Sequence, residues 1–162
     1  MTALKLHLIS LECNPETVAN LLDQTAWAKD FSWPQLQAMG RYFKPYGIAA
    51  GDCLFNEGDP AGTMGILVKG EIAIYKQGQV IAKLGPGRTY GEMSLLDNAP
   101  RSAQAVACQD SQLLIIDKTT FRKMAQDNTK LAFMVLWKIA FFLSQNLRNT
   151  SGLLMDVLDE KR

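Results

Sequence analysis

The segment YGEMSLLDNAPRSAQAVA, residues 90–107, sets a Gly-Glu pair, a short apolar run, a turn of Asp, Asn and Pro, and an Arg-Ser-Ala step ahead of alternating residues. Each part has an ordinary structural use, and their order adds a chemical one. A turn of helix beginning near Met93 would aim backbone N–H groups at the space beside Gly91, where a ligand can approach the main chain. Arg101 supplies a permanently charged planar fork suited to two oxygens of a phosphate, with the Ser102 hydroxyl as a further donor. Glu92 would repel phosphate, so it fits a ligand that also presents hydroxyl donors nearby, as a ribose does. The same residues also read as a solvated Glu, an Arg paired with Glu92 or Asp97, and a Gly demanded by a turn.

Working outward, three regions differ in punctuation. Between residue 14 and about residue 43 helix signals dominate: Asn14 is an N-cap with Pro15 at the first helical position, and Ser32 near Pro34 marks a second start. From residue 47 to about 116, glycines recur between short β-rich runs at 66–68, 72–75, 80–83 and 113–116. Tight turns at Lys69-Gly70, Gln77-Gly78 and Gly85-Pro86-Gly87 predict a compact antiparallel β structure. After Asp117 glycines vanish until Gly152 and helix formers take over. LAFMVLWKIAFFL, residues 131–143, is broken by Lys138 and falls short of the roughly 20 residues a membrane-crossing helix needs. Nearly every face of that helix is apolar, which predicts cover on more than one side: the β region on one, and the N-terminal helices or a second copy of the chain on the other. A homodimer through this helix is the preferred expectation.

Composition narrows the function classes. The 162 residues suit one domain, and 17 basic against 16 acidic residues leave no global field to recruit nucleic acid or an anionic membrane. Cys13, Cys53 and Cys108 are odd in number and lack C-x-x-C spacing, so neither a disulfide framework nor a zinc or iron-sulfur site is expected. They read as small apolar residues in a reducing compartment, the cytoplasm. The opening MTALKLHLISLE, interrupted by Lys5, His7 and Glu12, does not read as a signal peptide. His7 is the sole histidine and lies outside the β region, so a histidine-based metal site, as in a metal-dependent cupin, and a Ser-His or Cys-His nucleophile are not expected. The chain is read as no enzyme, with no cofactor and no metal.

Residues 90–96 (YGEMSLL), then Pro100-Arg101-Ser102-Ala103 and Val106, resemble the phosphate-binding cassette of cyclic nucleotide-binding domains, F-G-E-[LM]-[AS]-L followed by P-R-[AST]-A. The spacing from Gly91 to Arg101 is similar to that in regulatory subunits of cAMP-dependent protein kinase. Upstream, GDCLFNEGD (51–59) and residues 64–70 resemble the family's G-D-x-[IL]-F-x-E-G-D and [MV]-[YF]-x-[IL]-x-x-G elements. The resemblance runs from about residue 33 to residue 147. It implies an α+β fold: an antiparallel, jelly-roll-like β-roll flanked by N-terminal helices and a C-terminal helical segment that closes over the base. A single domain 1–162 would comprise helices in 1–46, the roll in 47–116 with the cassette at 90–103, and C-terminal helices in 117–162.

The resemblance also implies ligand-binding roles. Arg101 would take the cyclic phosphate and Glu92 the ribose 2′-hydroxyl; Gly91, Met93 and Ser94 would line the cradle through their backbone, with Ala103 beside them and Ser102 on phosphate or base. An ungapped comparison with the family's bacterial catabolite activators brings Asn146 to the helix position that contacts the base, although Phe142 is apolar where those proteins carry arginine. Two residues depart from the pattern. Tyr90 stands for Phe and keeps the ring, while Gly65 stands for an aromatic, a change expected to loosen strand packing without touching the cassette. Fewer than about 20 residues follow Leu147, too few for a helix-turn-helix reader of DNA, so output elsewhere is expected. The expected function is a regulatory sensor of a cyclic nucleotide, cAMP ahead of cGMP, with a cyclic dinucleotide left open. Binding would bias the packing of the C-terminal helix and so a dimer or an effector protein. The alternative is an interaction domain that keeps the fold without a ligand.

Overall fold

The computed structural model describes residues 8–160. The chain divides between Lys123 and Met124 into two compact units. In the first, helix α1 (Pro15–Asp23) starts as its sequence requires: the Asn14 side chain accepts from the Thr17 N–H at 2.8 Å, and Pro15 occupies the first turn, where no N–H is needed. A short 3₁₀ turn (Ala26–Asp30) leads to α2 (Trp33–Met39), where the Gln35 side chain accepts from the Ser32 N–H at 2.8 Å. Trp27 stacks on Phe31 with ring centroids 5.1 Å apart and meets Phe43 edge-on.

Among the described residues, nine antiparallel strands follow the glycine punctuation. The first sheet runs β1 (Ile9–Ser10), β2 (Lys44–Ile48), β9 (Ser111–Asp117), β4 (Thr63–Lys69), β7 (Thr89–Tyr90). The second runs β3 (Cys53–Phe55), β8 (Gln104–Ala107), β5 (Ile72–Lys76), β6 (Gln79–Leu84). Gln77-Gly78 turns β5 back into β6, an edge strand that exposes Val80 and Ile81. Residues from both sheets meet in one core: Ile48, Leu67, Tyr90, Leu113 and Ile115 from the first, Leu54, Phe55, Ile72, Ala105 and Ala107 from the second. The period-two alternation of Leu113 and Ile115 selects their face. Strands β1, β2, β3, β7 and β8 are too short or too glycine- and alanine-rich to stand out in the sequence. Helix α3 (Met93–Leu96) begins where the apolar run predicted it.

The exchange at residue 65 does touch the cassette, contrary to expectation. Gly65 pairs with Tyr90 across β4 and β7, and a Cβ at 65 would stand 2.2 Å from both Cζ and the hydroxyl oxygen of Tyr90. The glycine is therefore the floor on which the Tyr90 ring lies.

In the region after Asp117, α4 (Lys118–Asp127) precedes α5 (Thr129–Asp159), whose start is capped by the Asn128 side chain accepting from the Leu131 N–H at 3.1 Å. Leu131, Val135 and Ile139 form a buried stripe at four-residue spacing, while Phe133, Trp137 and Phe141 form a second, exposed stripe. Gly65→Ala should lower stability by about 1–3 kcal/mol through overpacking against the Tyr90 ring. Urea denaturation measures this, and an unchanged midpoint would show that the ring does not lie there.

Candidate functional site

Strand β7 delivers Tyr90 into Gly91, whose φ of +70° turns the chain into α3. A side chain there would be strained, and its Cβ would stand 2.3 Å from Arg101 Nη1 and 2.8 Å from the Thr63 carbonyl oxygen. The close approach that the glycine permits is thus made first by Arg101. The Gly91 carbonyl accepts from the Ser94 N–H at 3.1 Å and the Glu92 carbonyl from the Leu95 N–H at 3.1 Å, which closes the turn.

Arg101 lies between α3 and β8, with its main chain fastened to the loop between β3 and β4. Its N–H donates to the Asp59 carbonyl at 2.9 Å and its carbonyl accepts from Gly58 at 2.8 Å. The residue is 4% exposed. Nη1 donates to Ser94 Oγ at 2.7 Å and to the Gly91 carbonyl at 3.5 Å; Nη2 donates to Thr63 Oγ1 at 2.8 Å. The guanidinium carbon sits 4.1 Å from the centre of the Phe55 ring. These hydrogen-bond partners are neutral. Burial lowers the arginine pKa, while Tyr90, Asp59 and Glu92 oppose that shift electrostatically. Stacking on an aromatic face is worth roughly 2 kcal/mol when desolvated, less than the several kcal/mol that burying an ion costs. An arriving anion would offset the difference.

Glu92 is 9% exposed, so it is not the solvated carboxylate that its sequence position allowed. Burial raises its pKa, against the pull of Arg88 and Arg101. Three buried polar atoms here have no hydrogen-bond partner among the described residues: Glu92 Oε2, Arg101 Nε and the Tyr90 hydroxyl. Each costs about 1–3 kcal/mol if left unmatched, more if charged. Donor and acceptor are both represented, as a ligand with phosphate and hydroxyl groups requires.

The other expected residues are distributed differently. Ser94 is buried and meets Arg101 through its hydroxyl, Met93 is half exposed, and Ala103 is partly buried. Ser102 is exposed, and its carbonyl accepts from Lys76 Nζ, which also pairs with Glu57. Asn146 is an exposed residue of α5, in the second unit, and its carbonyl accepts from the Thr150 hydroxyl at 2.8 Å. His7 lies outside the described residues. The three cysteines are free, but Cys13 and Cys108 are exposed rather than packed as small apolar residues. No group of three or more metal-ligating side chains occurs among the described residues. Sequence reading missed Thr63, Phe55 and the Ser94 hydroxyl as holders of Arg101, and Arg88 as a charge near Glu92. For Thr63 a signal existed: Thr63, Gly65 and Leu67 alternate onto one face of β4.

Residues 47–128 match the family model for the cyclic nucleotide-binding domain. The chain belongs to that family. It is 36% identical over 80 residues to the cAMP-dependent protein kinase regulatory subunit of Yarrowia lipolytica, covering 49% of this chain and 21% of the relative. It is 32% identical over 122 residues to the cyclic AMP receptor protein of Thermus thermophilus, covering 72% and 54%. The chain thus spans from about a fifth to about half the length of these two relatives. Among solved structures, a cyclic nucleotide-binding domain from Methylobacillus flagellatus superposes with a TM-score of 0.80 at 25% identity, covering 92% of this chain and 88% of that one. The β-roll with its C-terminal helix is the architecture expected of the family.

The buried carboxylate yields a pH test. Because the folded pKa of Glu92 lies above its ordinary value of 4.5, its neutral form suits the fold, and stability is lost as pH rises through the folded pKa. Glu92→Gln should therefore stabilise the ligand-free protein at pH 7 by about 1 kcal/mol. The gain should shrink as pH falls through the raised folded pKa toward the ordinary value, where the buried carboxyl takes up its proton. Thermal melts of both proteins across pH 4–8 would show this; a difference that does not change with pH would place Glu92 in water, and one that grows toward acid would place it in an ion pair.

Proposed function

We propose that the chain is a regulatory sensor of a cyclic nucleotide, in which Arg101 takes the phosphate, Glu92 the ribose 2′-hydroxyl, and Gly91, Met93, Ser94, Ser102 and Ala103 surround the ligand. One observation carries this reading: Arg101 is 4% exposed and its guanidinium is bonded only to neutral partners among the described residues, beside a buried carboxylate with a free oxygen. A structural ion pair would have joined the two groups to each other. cAMP is placed ahead of cGMP because relatives named for cAMP reach 36% identity, against 28–31% for three cGMP-dependent protein kinases. Asn146 is retained as the residue that meets the base.

The exposed stripe of Phe133, Trp137 and Phe141 on α5 supports a homodimer, since contiguous exposed aromatic surface marks interaction sites. Ligand would then act by favouring one packing of the C-terminal helix over another, with dimer geometry or an effector protein as the output. No described helix is long and apolar enough to cross a membrane, and free cysteines suit the cytoplasm.

Calorimetry with cAMP, cGMP and a cyclic dinucleotide tests the reading; failure to bind any of them would leave the interaction domain. Arg101→Ala should weaken binding by about 2–5 kcal/mol, because it removes the charged partner of a desolvated phosphate. Glu92→Gln should cost about 1–3 kcal/mol, and a 2′-deoxy ligand should reproduce that loss on the unaltered protein. Trp137→Asp should lower the mass measured by light scattering from dimer toward monomer; an unchanged mass would remove α5 from the interface.

A further inference from the structure

We propose that Tyr90 is a positioning residue for Arg101, its hydroxyl accepting the Arg101 Nε–H when a phosphate draws on the guanidinium, and that Gly65 exists to make room for it. The inference rests on the reading of Arg101 as the phosphate-binding group. It begins with the two departures from the family pattern, which the structure makes into one. Residues 65 and 90 face each other across β4 and β7. An aromatic side chain at 65 and a phenol at 90 would claim the same space, because even a Cβ at 65 would stand 2.2 Å from the Tyr90 oxygen. The exchange adds a hydroxyl to the inside of the roll, where Tyr90 belongs to the inter-sheet core and is 5% exposed.

That hydroxyl lies beside the strand that holds the guanidinium. Thr63, whose Oγ1 accepts from Arg101 Nη2 at 2.8 Å, shares a face of β4 with Gly65, two residues and about 7 Å away. Tyr90 and Arg101 also influence each other electrostatically. The guanidinium has engaged Nη1 with Ser94 and the Gly91 carbonyl, Nη2 with Thr63 and one face with Phe55, so Nε is its nitrogen without a hydrogen-bond partner among the described residues. The phenol oxygen is unmatched as well. A small rotation that brings donor to acceptor satisfies both.

The choice of acceptor matters chemically. Glu92 also offers an unmatched oxygen, but a carboxylate on Nε would neutralise the charge that the phosphate needs. A phenol, which burial keeps protonated, orients the fork and leaves its charge available. Its own O–H remains free to donate toward the anion.

Tyr90→Phe keeps the ring and removes the oxygen, so it isolates the proposal. Calorimetry with cAMP and cGMP should show binding weakened about 3–10-fold, the range of one net hydrogen bond. The ligand-free melting temperature should stay level or rise, since an unmatched buried hydroxyl has gone; a merely structural role would instead lower it and spare affinity. In the nucleotide complex, the Arg101 Nε–H resonance should be protected from solvent exchange in the unaltered protein and lose that protection in the variant. On an Arg101→Ala background, Tyr90→Phe should change affinity by less than twofold. Equal affinity of the unaltered and Tyr90→Phe proteins, or unchanged Nε–H protection, overturns the role of Tyr90 alone. If the unaltered protein binds neither nucleotide, the phosphate reading of Arg101 falls and this inference falls with it.

Discussion

A guanidinium taken out of water and hydrogen-bonded to neutral groups among the described residues is the constraint around which the first unit is arranged. Ser94 comes from the turn after β7, Thr63 from the start of β4, Phe55 from the end of β3, and the carbonyl of Gly91 from a left-handed bend. Elements from both sheets therefore converge on one side chain. Four modest interactions together hold an ion that none of them neutralises, which is not the arrangement of an ion pair that fastens a fold. Glu92 has the complementary problem: its carboxylate is buried, with one oxygen unmatched.

Much of this was legible in the residues. Asn14 with Pro15, and Ser32 near Pro34, announce helix starts because capping is local chemistry. The β5–β6 hairpin is announced by Gln77-Gly78 between two β-branched runs. The cassette was legible through the resemblance of residues 90–96 and 100–103 to the family's motif, since Gly91, Glu92 and Arg101 taken singly also have ordinary structural uses. Strands of two to five residues such as β1, β2 and β7 were not, since pairing with distant partners, rather than local preference, makes them strands.

The coupling of Gly65 to Tyr90 shows what a single sequence conceals. The two positions are 25 residues apart in the chain and adjacent in the sheet. Judged separately, one looks like a weakened strand and the other like a conservative swap. Judged in register, a lost side chain and a gained hydroxyl are one event, because the volume given up at 65 is the volume taken at 90. Departures from a family pattern are better examined in pairs across a ladder than one position at a time.

Strand β6 carries a consequence of another kind. It closes one side of the four-stranded sheet, and Val80 and Ile81 present apolar surface on both of its faces. Unpaired main-chain groups beside bare aliphatic side chains form a template for adding foreign strands. Lys83, tethered to Glu71, is the charge that guards this border. Colloidal behaviour in concentrated solution will therefore be governed by this rim, and salt, which screens that charge, will promote clumping there.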